Sequence, residues 1–272
     1  MRIKWIKNDE RGNTMKKNMY IHYDSVSNHV LSSSIPFSVR TVPPILIPKN
    51  ILLLKGKSSL AKYDDYTGFS YISGEENIRQ FLDYVMKEEL AVDWIDFESI
   101  DFLHQLTAQE VSELLYVSHA NKHLHSPFFY KLQNNYIYLS MGDGFTKVYY
   151  RNVQHFNSLL AHAIEDAMSD VINAQKTRLF FMKRSAKVEK ISIDDVENLA
   201  TLIRDGVLIA LDQAKKVGTT YVIPILLSED EYYRTNHLKH TECQVGTISY
   251  DTDKNEWQVL VDEQRKEELL RY

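Results

Sequence analysis

Apolar residues along the chain change period several times, and each change predicts an element. Ile51-Leu52-Leu53-Leu54 is a short continuous apolar run, the pattern of a strand buried on both faces, and residues 68–72 form a second. From Ile78 the apolar side chains return at Phe81, Leu82 and Val85, the spacing of one helix face. Ser73-Gly74-Glu75-Glu76, just before it, has the form of a capping box. Thr107-Ala108-Gln109-Glu110 repeats that signature ahead of a second helix, with Val111, Leu114 and Leu115 facing inward.

Between 127 and 151 the period falls to two. Runs at 128–132, 136–141 and 146–151, separated by Asn134-Asn135 and Gly142-Asp143-Gly144, predict a three-stranded antiparallel meander. Alternation puts Tyr136, Tyr138 and Ser140 on one face and Ile137, Leu139 and Met141 on the other. Helical spacing returns over 153–174 through Phe156, Leu160, Ala163, Ala167 and Val171. A second long helix is expected over 193–217, capped by Ser192, with Asp194 and Asp195 in its first turn and Gly218 just past its end. A strand over 220–227 follows, which Pro224 assigns to an edge or a bulge, then a hairpin over 244–261 and a charged helix over 262–272.

Helices and hairpins come in blocks, without strict alternation of strand and helix. The expected class is therefore α+β, with a largely antiparallel sheet whose meander packs on the two long helices. The stretch before Ile51 is different in kind. It is rich in serine and carries Pro36, Pro43, Pro44 and Pro48, each of which removes a backbone donor. Residues 1–50 are expected to form an extended arm over the surface of a single body, 51–272, with only 19–23 alternating as a strand would.

Charge sharpens that division. Residues 1–60 hold ten Lys/Arg against Asp9, Glu10 and Asp24, a net of +7, which leaves −12 on the rest of the chain. A basic arm resting on its own acidic body is the simplest reading, and an acidic body repels a phosphate backbone, so nucleic acid is not the expected partner. The lone cysteine, Cys243, forms no intramolecular disulfide. No apolar stretch approaches the roughly 20 residues that cross a bilayer, and no signal-peptide pattern opens the chain, so a cytoplasmic protein is expected.

Candidate chemistry gathers at three places. On a helix, His119 and His123 are one turn apart, and His125 lies just beyond; three imidazoles around a zinc ion leave a position for an activated water. His237, His240 and Cys243 form a second compact set of good zinc ligands, the sort that a divalent metal would need. Tyr136, Tyr138, Tyr149 and Tyr150 can present an aromatic face, and tyrosine is favoured at interfaces. The acids Asp93, Asp96, Glu98 and Asp101 interleave with Trp94 and Phe97, while His155, Ser158, His162 and Glu165 share the solvent face of their helix. Gly56-Lys57-Ser58 follows an apolar strand but lacks the first glycine of a phosphate loop, and reads as a turn. No G-x-S-x-G, C-x-x-C or G-x-G-x-x-G occurs. These features favour a regulatory or protein-interaction module without catalysis of its own, able to self-associate as a homodimer and with no firmly implied cofactor. The alternative is a metal-dependent hydrolase built on His119, His123 and His125.

Overall fold

The computed structural model describes residues 18–24, 29–32, 35, 37, 42–88, 90–120, 126–142, 145–176, 187–204, 206–227 and 243–270. The first half of the chain supplies β1 (Met19–Asp24), β2 (His29–Ser32), β3 (Asn50–Lys55), β4 (Lys62–Tyr63), β5 (Ser70–Ser73), α1 (Glu75–Lys87), β6 (Asp93–Phe97), α2 (Ile100–Leu103) and α3 (Ala108–Ala120). β7 (Tyr136–Gly142), β8 (Phe145–Tyr150), α4 (Val153–Lys176), α5 (Ile193–Glu197) and α6 (Ala200–Ile203) follow. β9 (Val207–Ile209), β10 (Lys215–Val217), β11 (Thr220–Leu227), β12 (Gln244–Asp251), β13 (Glu256–Val261) and α7 (Glu263–Leu270) end the chain. The class is α+β and every strand pair is antiparallel.

Among the described residues thirteen strands join in one sheet, ordered β13-β12-β11-β9-β1-β2-β8-β7-β6-β3-β5-β4, with β10 beside β11. Alternation along each strand sorts side chains onto two faces. Ile51, Leu53, Trp94, Tyr136 and Tyr138 point into one core, closed by α1, α4, α5 and α6. Leu52, Leu54, Ile95, Ile137 and Leu139 point into the other, closed by α3 and the end of α2. The expected faces of 136–141 are thus observed at every described side chain, and α4 buries the expected stripe through Phe156, Leu160 and Ala163.

Several expectations are corrected. The arm contributes β1 and β2, which lie inside the sheet between β9 and β8, with Met19, Tyr20 and Ile21 buried. This hairpin joins the strands of the middle of the chain to those of its end, so a segment read as surface cover spans the centre. The run 128–132 is not a strand. Phe129 N donates to the buried Asn134 side chain at 2.8 Å, Gln133 takes a positive φ of 52°, and the chain turns there. The hairpin β7–β8 instead takes β6 as its third strand.

The second long helix is also absent. Ser192 does cap a helix, accepting from Asp195 N at 3.0 Å, but α5 ends at Glu197 and α6 at Ile203. Gly206, with φ of 79°, ends that turn, and Val207–Ile209 pairs with both β1 and β11. An apolar run buried on all sides suits a central strand as well as a helix, and the neighbouring strands decide it. Pro224 lies in a central strand, not an edge, and the β11–β12 register shifts beside it at Ile225/Leu226, in keeping with the other expected setting, a bulge. The proline falls between the stretches of β11 that pair with β10 and with β9, where no donor is required of it.

Thr107 and Glu110 form the expected reciprocal cap, Thr107 N donating to Oε2 at 2.7 Å and Glu110 N to Oγ1 at 3.2 Å. Ser73 does not cap α1; its hydroxyl donates to Asn50 Oδ1 at 2.7 Å, and Gly74 occupies the cap position. On α3 Val111 and Leu114 face the core as expected, whereas Leu115 is 44% exposed and Val117 is buried in its place. No described helix is long and apolar enough to cross a membrane.

Candidate functional site

His119 lies in the last turn of α3, where its Nδ1 bonds the carbonyl of Leu115 one turn back at 2.9 Å. His123 and His125, its expected partners, lie outside the described residues, as do His237 and His240. Cys243 is buried just before β12, against Ala210 and Leu226, and its carbonyl accepts from Leu227 N. Among the described residues no three His, Cys, Asp or Glu side chains come together as a metal site.

Three of the four meander tyrosines are inside the molecule. Tyr136, Tyr138 and Tyr150 are buried, and Tyr149 is half-buried on the opposite face. Tyr138 stacks on Trp94 with ring centroids 5.4 Å apart, and Phe37 wedges against Trp94, Tyr136 and Tyr150. Packing, not solvent, claims these rings. The Tyr136 hydroxyl reaches His155 Nδ1 at 3.3 Å, and burial holds the His155 imidazole below its ordinary range.

The acids of β6 also work internally. β6 and β7 pair through only Trp94–Tyr138 and Ile95–Ile137, and a carboxylate continues the ladder at each end. Asp93 Oδ1 accepts from Ser140 N at 2.7 Å; Asp96 Oδ1 accepts from Tyr136 N at 2.6 Å and from Asn135 N at 2.8 Å. Burial pushes the Asp96 carboxyl up to about 7, against the pull of those donors. Burial, and secondarily the Asp96 charge, raises the Tyr136 phenol well above its usual range. Glu165, expected on a solvent face, instead accepts from Ile191 N at 2.9 Å and so ties α4 to the approach to α5.

The solvent-facing features gather at the β4 end of the sheet. β3 leaves the sheet at Gly56, whose φ of 96° and close approach to Val92, 2.8 Å from where a Cβ would sit, admit no side chain. The chain then turns through Lys57, Ser58, Ser59 and Leu60, with Leu60 N donating to Ser58 Oγ. Opposite this loop α1 presents Gln80, Phe81 and Tyr84, and the two enclose an open cleft of about 450 Å³. Its floor is apolar, from Phe81 and Leu60, and its rim carries an ammonium, hydroxyls and a phenol.

Beyond the loop, Tyr63 is 65% exposed and Tyr66 56%, while Tyr84 on the cleft rim is 53% exposed. The turn that holds Tyr66 is built on Asp64, which accepts from Thr67 N at 2.9 Å, Thr67 Oγ1 at 2.6 Å and His104 Nε2 at 2.9 Å. Burial opposes ionisation of Asp64, but these bonds outweigh it and keep the carboxyl below its usual range. Tyr66 packs on the His104 ring, and its hydroxyl donates to Leu106 O at 2.8 Å. The cleft lies on the α1 face and the Tyr66–His104 pair on the α2 face, so aromatic side chains border both sides of one sheet end.

Such a surface can cover an apolar or aromatic group and satisfy the polar groups around it. Sequence reasoning passed over these residues, although one signal was legible: Tyr84 falls off the apolar stripe of α1, where a helix usually carries charge. No protein-family model, curated protein or solved structure matches this chain.

Proposed function

We propose that the chain is a cytoplasmic protein-interaction module without catalysis of its own, and that it meets its partner at the β4 end of the sheet. The observation that carries this reading is the exposure of Tyr63, Tyr66 and Tyr84 around one end of the molecule, next to an open cleft. Tyrosine supplies a large amphipathic contact for little lost rotamer freedom, and is enriched where proteins meet. Two further facts support it. Asp93, Asp96 and Asp64, the buried carboxylates an enzyme would recruit, are engaged by backbone and side-chain donors of their own fold. The exposed cleft rim offers one ammonium, from Lys57, which suits a partner segment with a negative charge beside an apolar group.

The test is a photo-reactive side chain placed at Tyr84, with the same group at Tyr130, which is 88% exposed and is not among the residues that line the cleft, as control. Irradiation in cells yields one discrete adduct from position 84 and none from 130, and the adduct disappears when wild-type chain is added in excess. Equal labelling at both positions, or none at 84, overturns the proposal.

A further inference from the structure

The sheet has three open edges among the described residues, and they are not alike. β4 is two residues long and carries Lys62; β10 is three residues long and carries Lys215 and Lys216, all exposed. Short length and lysine are the devices by which an edge is kept from recruiting another strand. β13 has neither. Glu256-Trp257-Gln258-Val259-Leu260-Val261 runs six residues in unbroken register with β12 and contains no lysine, proline or bulge.

The direction of its free main-chain groups follows from one bond. Asp262 N donates to Val245 O at 2.8 Å, and pairing in an antiparallel ladder alternates, so Gln258 and Leu260 also turn their backbone groups towards β12. Those of Trp257, Val259 and Val261 therefore point away from it. Side chains alternate too: Glu256, Gln258 and Leu260 are exposed, whereas Trp257, Val259 and Val261 pack on the core.

We infer that β13 is the interface of a two-fold homodimer, in which β13 of each copy pairs antiparallel with the other and the sheet continues across the axis. A second copy is the partner that fits because its other edges among the described residues are blunted, which leaves β13 as the described edge strand it can offer. This surface is separate from the β4 end and does not depend on the partner proposed there. Strand geometry restricts the register. Residues opposite one another must belong to the same face, which permits an axis at Gln258 or at Val259 but not between them.

Charge chooses between the two. An axis at Val259 sets Glu256 opposite Asp262 of the other copy, and like charges directly opposite are destabilising. An axis at Gln258 sets Lys254 opposite Asp262 of the other copy. It also pairs Trp257 with Val259 of the other copy, joining two outward-pointing sets of N–H and C=O groups, and extends the core face across the axis. Gln258 then faces Gln258 of the other copy on the outer side.

The experiment is sedimentation equilibrium of the full chain at tens of micromolar, with two variants at the exposed Gln258. Wild type is expected to be dimeric. Gln258→Lys sets two ammonium groups opposite each other and is expected to raise the dissociation constant roughly tenfold or more, with an unchanged far-UV spectrum and, at concentrations dilute enough for both proteins to be monomeric, an unchanged thermal midpoint. Gln258→Cys is expected to give a disulfide-linked dimer under mild oxidation that Cys243, being buried, does not give in the wild type. A monomeric wild type overturns the inference. So does a dimer that neither variant affects, because its interface then lies elsewhere.

Discussion

Asp96→Asn isolates a single buried carboxyl whose protonation the fold controls. In the folded protein Asp96 holds its proton to about pH 7, because burial at 5% exposure penalises the charged form more than its three donors favour it. In the unfolded chain the same group loses its proton near pH 3.9. Between those values the unfolded chain has released a proton that the folded one retains, so raising the pH favours unfolding. The stability contributed by this site is complete below about pH 4 and is lost as the pH rises through about 7, a total of roughly 4 kcal/mol at 1.36 kcal/mol per unit.

Asparagine has no such titration. It keeps an oxygen at the Oδ1 position, so Tyr136 N and Asn135 N retain their acceptor, while the Asn135 side chain, 3.4 Å from Oδ2, must turn to present its own oxygen. Below about pH 4, where the carboxyl keeps its proton in both the folded and the unfolded chain, the variant and wild type should therefore agree within about 1 kcal/mol. From pH 5 to pH 9 the variant should gain on the wild type by about 3 kcal/mol, measured by urea unfolding at each pH. A difference that stays flat with pH refutes the reasoning. A wild type that gains on the variant as pH rises refutes it more sharply, since the donors would then stabilise the carboxylate more than burial penalises it.

Other consequences are simpler to test. Ile21→Ala, at a fully buried position of β1, should cost about 3 kcal/mol in urea unfolding, whereas a residue of a loosely laid surface arm would cost under about 0.5 kcal/mol. Tyr150→Phe should be neutral or stabilise by up to about 1 kcal/mol, because the hydroxyl is buried without a hydrogen-bond partner among the described residues; a loss above about 1 kcal/mol would reveal a partner. Protein purified without a histidine tag should carry less than about 0.1 equivalent of zinc, manganese or iron, and His123→Ala should change neither that content nor the melting temperature. One equivalent lost in the variant would instead restore the hydrolase built on His119, His123 and His125.

Periodicity revealed the faces of β7 and α4, because those elements bury one side and expose or differently bury the other. The same code failed where the environment was uniform. Residues 207–211 are apolar throughout, and a helix and a central strand are then equally good readings until β1 and β11 are in place. The hairpin β1–β2 was hidden by the serines and prolines around it, since its burial depends on strands more than a hundred residues away. Run 128–132 has the composition of a strand, but the Asn134 side chain takes the donor that a ladder would have used.

The functional reading suffered from the same limit. Tyrosine content was visible in the sequence, but which tyrosines face solvent is a property of packing. Tyr136, Tyr138 and Tyr150 alternate as a binding face would and are used as core, while Tyr63 lies in the two-residue β4, Tyr66 in a turn and Tyr84 on the polar face of α1, and only Tyr84 leaves a trace in the sequence pattern. His104 paired with Asp64 was equally silent, because forty residues separate partners 2.9 Å apart.

The proposed interaction is tested most directly by tyrosine footprinting of the unmodified protein, comparing brief nitration in intact cells with nitration of the purified chain. If a partner occupies the β4 end, Tyr63, Tyr66 and Tyr84 react several-fold less in cells than after purification, while Tyr130 reacts equally in both. Equal reactivity of all four tyrosines in the two settings contradicts the account, since the surface on which it rests would then be bare where the protein works.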